Sequence, residues 1–138
     1  MTLVRDFHIA FDLPAPTGPT VPSLDLVRLR MRLLAEEHEE VRAELTKLLN
    51  PRLTYAEAVP IMRDLLKELA DLRYVTEGAA VSLGLDIDAA YAETHRSNMS
   101  KLLADGSRLV RTDGKVLKGP DYTPADLTAI VPDPIEGE

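Results

Sequence analysis

Cysteine and tryptophan are absent, and phenylalanine occurs only twice. Without cysteine there are no disulfides, no zinc–thiolate centres and no thiol catalysis. With so few aromatic rings the core has to be aliphatic, as in many helical bundles. A basic surplus is missing as well. Acidic residues outnumber basic ones 23 to 16, a net charge of −7, whereas a general nucleic-acid binder needs the opposite sign. No apolar run approaches the roughly 20 residues that span a bilayer, so no membrane partner is expected. Residues 1–6 lack the apolar segment of a signal peptide, and a cytoplasmic protein is the expectation. What is present is 138 residues, 45% of them apolar and 28% charged. That size and mix suit a single domain over residues 1–138.

Proline is scarce where it matters most. Eight of the ten prolines lie outside residues 23–119; inside that span only Pro51 and Pro60 occur. Proline breaks helix interiors, so the middle of the chain is free to be helical while both ends are punctuated. The pattern predicts an all-α fold. A short helix over 2–11 and a Pro-rich stretch make up 1–22, a helical core covers 23–105, and a hairpin-like arm and tail cover 106–138. Ser23 offers an N-cap for a first long helix that stops before Asn50-Pro51. Thr54 and Glu57 form a capping box for the second, with Pro60 expected to kink or restart it. Gly84 is its natural C′ residue. Asp86 caps a third long helix expected to end near Asp105-Gly106. Thr112-Asp113-Gly114 between two short runs is a hairpin signal, and one helical turn is expected near Pro124–Leu127. Three long antiparallel helices rarely close a core alone, so a homo-oligomer is expected to complete the bundle.

The first long helix carries two stripes. Leu24, Val27, Met31, Leu34, His38, Val41, Leu45 and Leu48 alternate by three and four and read as its buried face. On that face His38 reads as a packed core histidine. A second stripe begins apolar at Leu26, Leu29 and Leu33 and turns acidic at Glu37, Glu40 and Glu44, with Glu36 at its edge. In the second helix, Ile61, Leu65, Leu69, Leu72, Thr76, Ala79 and Leu83 form an apolar band bordered by Asp64, Glu68 and Asp71. In the third, Ile87, Tyr91 and Thr94 lead to Asn98 and Lys101 on one face. A charge run taken alone is explained by a solvated helix face. Three helices that each switch from apolar to polar along an inward stripe call for more. Glu37/Glu40 and Glu68/Asp71 are i, i+3 pairs that can each point at one site. Carboxylates held close together repel unless protonated or neutralised, and an all-oxygen donor set suits Mg²⁺ or Mn²⁺. A ferritin-like iron site wants Glu-x-x-His. Ala35 and Ala92 stand three residues before His38 and His95, so neither histidine fits that pattern and an iron site is not expected. Residues 98–118 supply positive charge: Lys101, Arg108, Arg111, Lys115 and Lys118 against Asp105 and Asp113. Such a segment can grip phosphate, although no Gly-rich phosphate loop precedes Lys115.

Together these residues resemble the MazG-like all-α nucleoside triphosphate pyrophosphohydrolases. Glu36-Glu37-His38-Glu39-Glu40 matches the EExxE motif, Lys67-Glu68-Leu69-Ala70-Asp71 the KExxD motif, and Asn98-Met99-Ser100-Lys101 the Asn-x-x-Lys element. Residues 113–120, Asp-Gly-Lys-Val-Leu-Lys-Gly-Pro, together with Phe7-His8 and Phe11, are similar to a subgroup with dUTPase-type activity. The resemblance implies cleavage between the α and β phosphates, giving a nucleoside monophosphate and pyrophosphate. It implies Glu37, Glu40, Glu68 and Asp71 as Mg²⁺ ligands, with Mn²⁺ as a substitute. Glu36 would orient or deprotonate the attacking water. Asn98 and Lys101 would hold the substrate, Lys101 at phosphate, and Lys115, Lys118 and Tyr122 would close over the triphosphate, either in the same chain or from the neighbouring subunit. Phe7, His8 and Phe11 are candidates for the base or sugar pocket. Dimers or tetramers are implied. The expected substrate is dUTP, in nucleotide-pool cleaning. Alternatives left open are the same chemistry on another non-standard nucleoside triphosphate, more distantly a phosphoribosyl-ATP substrate, or a non-enzymatic acidic helical interaction module.

Overall fold

The computed structural model describes residues 3–132. Among them are four helices and no strand: α1 (Leu3–Ala10), α2 (Leu24–Lys47), α3 (Tyr55–Ser82) and α4 (Ile87–Met99). The all-α class is as expected. Residue 2 and the tail residues 133–138 lie outside the described residues. The chain divides into two compact units, one running to Leu85 and the other beginning at Asp86.

Helix starts follow local side-chain chemistry. The Ser23 hydroxyl accepts from the Leu26 N–H at 3.3 Å. Thr54 and Glu57 form the reciprocal capping box, which satisfies two amide donors that have no carbonyl one turn back. The Asp86 carboxylate accepts from the Ala89 N–H at 3.0 Å. Pro60 neither breaks nor restarts α3, which runs unbroken from Tyr55 to Ser82. It lies in the second turn, where only one backbone hydrogen bond is forfeited.

Within the first unit, α2 and α1 both pack against α3. The face that α2 turns inward differs from the expected one. Leu26, Arg30, Leu33, Glu37, Val41 and Glu44 are buried or half-buried, while Leu24, Met31 and Leu45 are exposed, Leu24 at 72% and Met31 at 65%. The apolar stripe expected in the core is therefore split: Leu24, Val27, Met31, His38 and Leu45 lie on the outside of this unit, while Val41 is buried and Leu34 and Leu48 are half-buried. Of the stripe that turns acidic, Leu26, Leu33, Glu37 and Glu44 are half-buried and Leu29 and Glu40 are exposed. His38 goes with the outer stripe and is exposed, so it is not a core histidine. The most buried histidine is His8, at 2%. Its Nδ1–H donates to the Pro14 carbonyl at 2.7 Å, and its Nε2 accepts from Arg30 Nη2 at 3.3 Å. Gly78 on α3 makes this seat possible: a Cβ there would stand 3.3 Å from the Arg30 guanidinium and 3.4 Å from His8 Nε2.

Gly84 ends α3 with φ +69°, and the Leu85 N–H returns to the Ala80 carbonyl at 3.0 Å, the six-to-one closure of a Schellman cap. The segment 13–22 is laid against this cap. Thr20 N–H donates to the Leu83 carbonyl at 2.9 Å, and a Cβ on Gly84 would fall 1.9 Å from the Gly18 carbonyl oxygen. Gly84→Ala therefore meets both a left-handed backbone penalty and a backbone clash. It is expected to cost about 2–4 kcal/mol in chemical denaturation, while Gly106→Ala, with open space around it, should cost less.

In the second unit, α4 stops at Met99 and does not reach Asp105. Ser100 Oγ donates to the Ser97 carbonyl at 2.7 Å and accepts from the Thr123 N–H at 2.9 Å. These hydroxyl bonds compete with helix continuation. The chain then tightens through Lys101 N–H to Asn98 and Leu102 N–H to Met99 carbonyls, both at 3.2 Å. The expected hairpin is present in minimal form, a single antiparallel bridge between Val110 and Val116 around Gly114 at φ +88°. The expected turn near Pro124–Leu127 falls later, where Ile130 and Val131 N–H groups both donate to Leu127. Arg96 clasps the arm: it pairs with Glu93 at 2.7 Å and donates to Thr123 Oγ1 at 2.8 Å and the Pro124 carbonyl at 3.0 Å. The Arg96 hydrogen bond and the Asp126 N–H hold the Glu93 carboxyl down at about 2. A depressed acid stabilises the fold above its ordinary pKa and loses that contribution as pH falls through its folded value. The arm is therefore expected to stay docked at neutral pH and to detach as pH falls from about 4 toward 2. Carboxyl-carbon NMR titration of Glu93 checks this; Glu93→Gln should free the arm's amides for hydrogen exchange already at neutral pH.

Candidate functional site

Antiparallel α2 and α3 bring the acidic half of the α2 stripe opposite the middle of α3. One carboxylate oxygen from each of Glu37, Glu40 and Glu68 lies within 4.8 Å of the others. Glu37 and Glu68 are half-buried and Glu40 is exposed. Glu40 sits against Glu68, and a shared hydrogen bond with Glu68 holds its carboxyl above the ordinary carboxylate range. The negative charges of Glu68 and Glu37 act in the same direction. Glu37 Oε2 is buried and has no hydrogen-bond partner, an uncommon state for a carboxylate oxygen. The cluster thus has an excess of negative charge and a buried acceptor with nothing to accept from. A hard divalent cation is the kind of group that an all-oxygen set of this sort can hold.

Asp71, the fourth carboxylate expected here, follows Glu68 by one turn on the same face of α3 and is half-buried. It is not in the three-residue cluster. Lys67 Nζ holds it at 2.8 Å and reaches Glu68 Oε2 at 3.2 Å. Glu36 is exposed beside the cluster on α2. Near the α1 end of α3, the Phe7 and Phe11 ring centroids are 4.4 Å apart, and Phe7 meets Tyr74 edge-on at 5.7 Å. Both phenylalanines are more than a third exposed. His8, expected to touch the substrate, is buried with both ring nitrogens engaged, so its observed role is to hold α1 in place.

The residue chemistry of this first unit agrees with a comparison by sequence. The model of the phosphoribosyl-ATP pyrophosphohydrolase family matches residues 4–98, a span that includes the carboxylate cluster, Asp71 and Asn98. The chain belongs to that family. It is a MazG-like all-α family whose members hydrolyse pyrophosphate bonds of nucleotides. No curated protein gives a significant match to the chain. Among the described residues, no helix is long and apolar enough to cross a membrane.

The family match ends at Asn98, and the remaining expected binding residues follow it in the second unit. Lys101 Nζ donates to Asn98 Oδ1 at 2.6 Å. Lys118 Nζ stands 4.3 Å over the Tyr122 ring, and the Tyr122 hydroxyl is 3.4 Å from Ser97 Oγ. The Ser97 hydrogen bond first, then the charges of Lys118 and Lys101, hold the Tyr122 hydroxyl below its ordinary pKa. Asn98, Lys101, Lys118 and Tyr122 thus form one polar, cationic neighbourhood. Lys115 is exposed in the turn with Gly114. Two participants were not singled out by sequence reasoning. Arg30, beneath His8, reads on spacing as one charge among several on α2. Lys67 lies inside the KExxD motif, and its i, i+4 relation to Asp71 was the available signal.

Proposed function

We propose that the chain is a Mg²⁺-dependent nucleoside triphosphate pyrophosphohydrolase of the cytoplasm. It would cleave dUTP between the α and β phosphates to dUMP and pyrophosphate. The observation that carries this reading is the convergence of Glu37, Glu40 and Glu68 from two helices, with one oxygen of Glu37 buried and without a hydrogen-bond partner. Those three residues, joined by Asp71, would hold the cation, with Mn²⁺ as a substitute. When bound, it supplies Lewis acidity and charge neutralisation at the phosphates.

The chain's own residues account for the rest. Glu36, free of the cluster, orients a water and takes its proton as the water oxygen bonds to phosphorus. The bridging P–O bond breaks, and pyrophosphate leaves with the electron pair. Asn98 and Lys101 hold the substrate, Lys101 at phosphate. Lys115, Lys118 and Tyr122, of the same chain or of a second copy, would close over the triphosphate, and Phe7 and Phe11 would offer rings to the base. A second copy covers the outer stripe of Leu24, Met31 and Leu45, an apolar face that one chain leaves in water.

Pyrophosphate release with Mg²⁺ is the test, with dUTP, the other deoxynucleoside triphosphates, ATP, UTP and phosphoribosyl-ATP compared side by side. Preference for dUTP supports the full reading. Preference for phosphoribosyl-ATP, the substrate in the family's description, keeps the chemistry and replaces the substrate. Silence on every nucleotide favours an acidic interaction module instead.

A further inference from the structure

Three carboxylates form the cluster and the fourth stays out, linked to it by a lysine. Lys67 Nζ lies 2.8 Å from Asp71 Oδ2 and 3.2 Å from Glu68 Oε2. It therefore joins a cluster member to the carboxylate one turn beyond. On the α2 side, Glu37 Oε2 is buried with no partner, so the direct ion pairs of Lys67 are made on the α3 side of the cluster. The Lys67 side chain is 65% exposed on a flexible four-carbon stem. Ion pairs of this kind are weak and can be left at small cost.

We infer that Lys67 is a positioning residue that acts as an internal counter-cation of the carboxylate site. It occupies oxygens of Glu68 and Asp71, keeps Asp71 away from the cluster, and yields both to a divalent ion. It thereby sets the concentration at which the ion binds. The inference rests on the metal reading proposed above and adds a competitor to it. An ammonium bonded to a carboxylate oxygen withdraws charge from it and competes with a divalent cation for it, and the charge of Lys67 repels the incoming ion. Removal of the amine should therefore tighten metal binding. If Lys67 served only to orient its neighbours, removal would loosen it. These two roles predict opposite signs.

The experiment is calorimetric titration of the full chain with Mn²⁺ alone, without nucleotide. Wild type, Lys67→Met, Lys67→Arg, Asp71→Asn and the Lys67→Met/Asp71→Asn pair are compared. Lys67→Met is expected to bind Mn²⁺ about 3–10-fold more tightly, and Lys67→Arg close to wild type. In the Asp71→Asn background the gain should shrink to about twofold or less, because the lysine then has only Glu68 to hold. Lys67 is exposed, so unchanged melting in chelator is the expected folding control, and Lys67→Gln serves as a second variant if Lys67→Met melts early. Unchanged or weaker binding in Lys67→Met and Lys67→Gln overturns the inference while leaving the metal site standing. An undiminished gain without Asp71 also overturns it. Absence of Mn²⁺ binding in every protein overturns the metal reading itself, and this inference with it. Binding in Lys67→Met but not in wild type supports it.

Discussion

Glu68→Ala is expected to lower pyrophosphate release by on the order of 10³-fold or more and, in the same protein, to raise the melting temperature measured in chelator. The two effects have one cause. Glu68 stands at the junction of the site: its carboxylate is hydrogen-bonded to Glu40, is grouped with Glu37, and is paired with Lys67. These contacts crowd acidic groups together: the hydrogen bond with Glu68 first, and then the charges of Glu68 and Glu37, hold the Glu40 carboxyl above its ordinary range. Truncation removes a ligand and the crowding together. An ordinary half-buried glutamate behaves differently, since its loss leaves activity and stability unchanged or lowers both. Melting with and without Mg²⁺ separates the cases. Wild type should gain stability on adding the ion, by mass action on the folded state, and Glu68→Ala should gain little. Glu68→Gln should follow Glu68→Ala in activity, because an amide oxygen keeps the shape and loses the charge.

Glu36→Gln is expected to have a comparably large effect with a different signature. As the base for the attacking water, Glu36 contributes to turnover by about 10²–10⁴-fold and little to binding. It is exposed beside the cluster, outside the three residues whose oxygens converge. The variant should bind Mg²⁺ and a non-hydrolysable nucleotide as tightly as wild type while kcat collapses. Equal losses in affinity and kcat would instead make Glu36 a ligand. Normal turnover would transfer the proton-accepting role to another group on α2 or α3.

These expectations follow from features that were legible to different degrees in the sequence. Helix boundaries set by short-range chemistry could be read directly. Ser23, the Thr54/Glu57 box, Asp86 and Gly84 all cap as expected, because each cap involves residues a few positions apart. The end of α4 could not be read in that way. It depends on hydroxyl bonds between Ser100 and Thr123, more than twenty residues away in the chain. The facing of α2 was ambiguous for a related reason. Its first half is apolar on two sides, and periodicity reveals faces without saying which neighbour covers them. The stripe of Leu24, Met31 and Leu45 has the better apolar pattern, yet the stripe that carries Glu37 lies on α3. His38 is exposed as a consequence.

The carboxylate pairing was legible because i, i+3 spacing puts two acids on one helix face whatever that face meets. That spacing cannot show which of four acids is already engaged. Asp71 matches the pattern as well as Glu68 does and is nonetheless outside the cluster, while Lys67 pairs with both. The binding residues of the arm were legible only through resemblance. Lys118 meets Tyr122, and Lys101 meets Asn98, through local folding of a segment with almost no regular structure.

The most direct test of the central claim is a crystal grown with Mn²⁺ and a non-hydrolysable dUTP analogue, with anomalous scattering used to locate the ion. The account predicts an anomalous peak within about 2.0–2.3 Å of carboxylate oxygens from Glu37, Glu40 and Glu68, with Asp71 turned from Lys67 toward it. A peak bound elsewhere, or none while these glutamates point into bulk water, would contradict it.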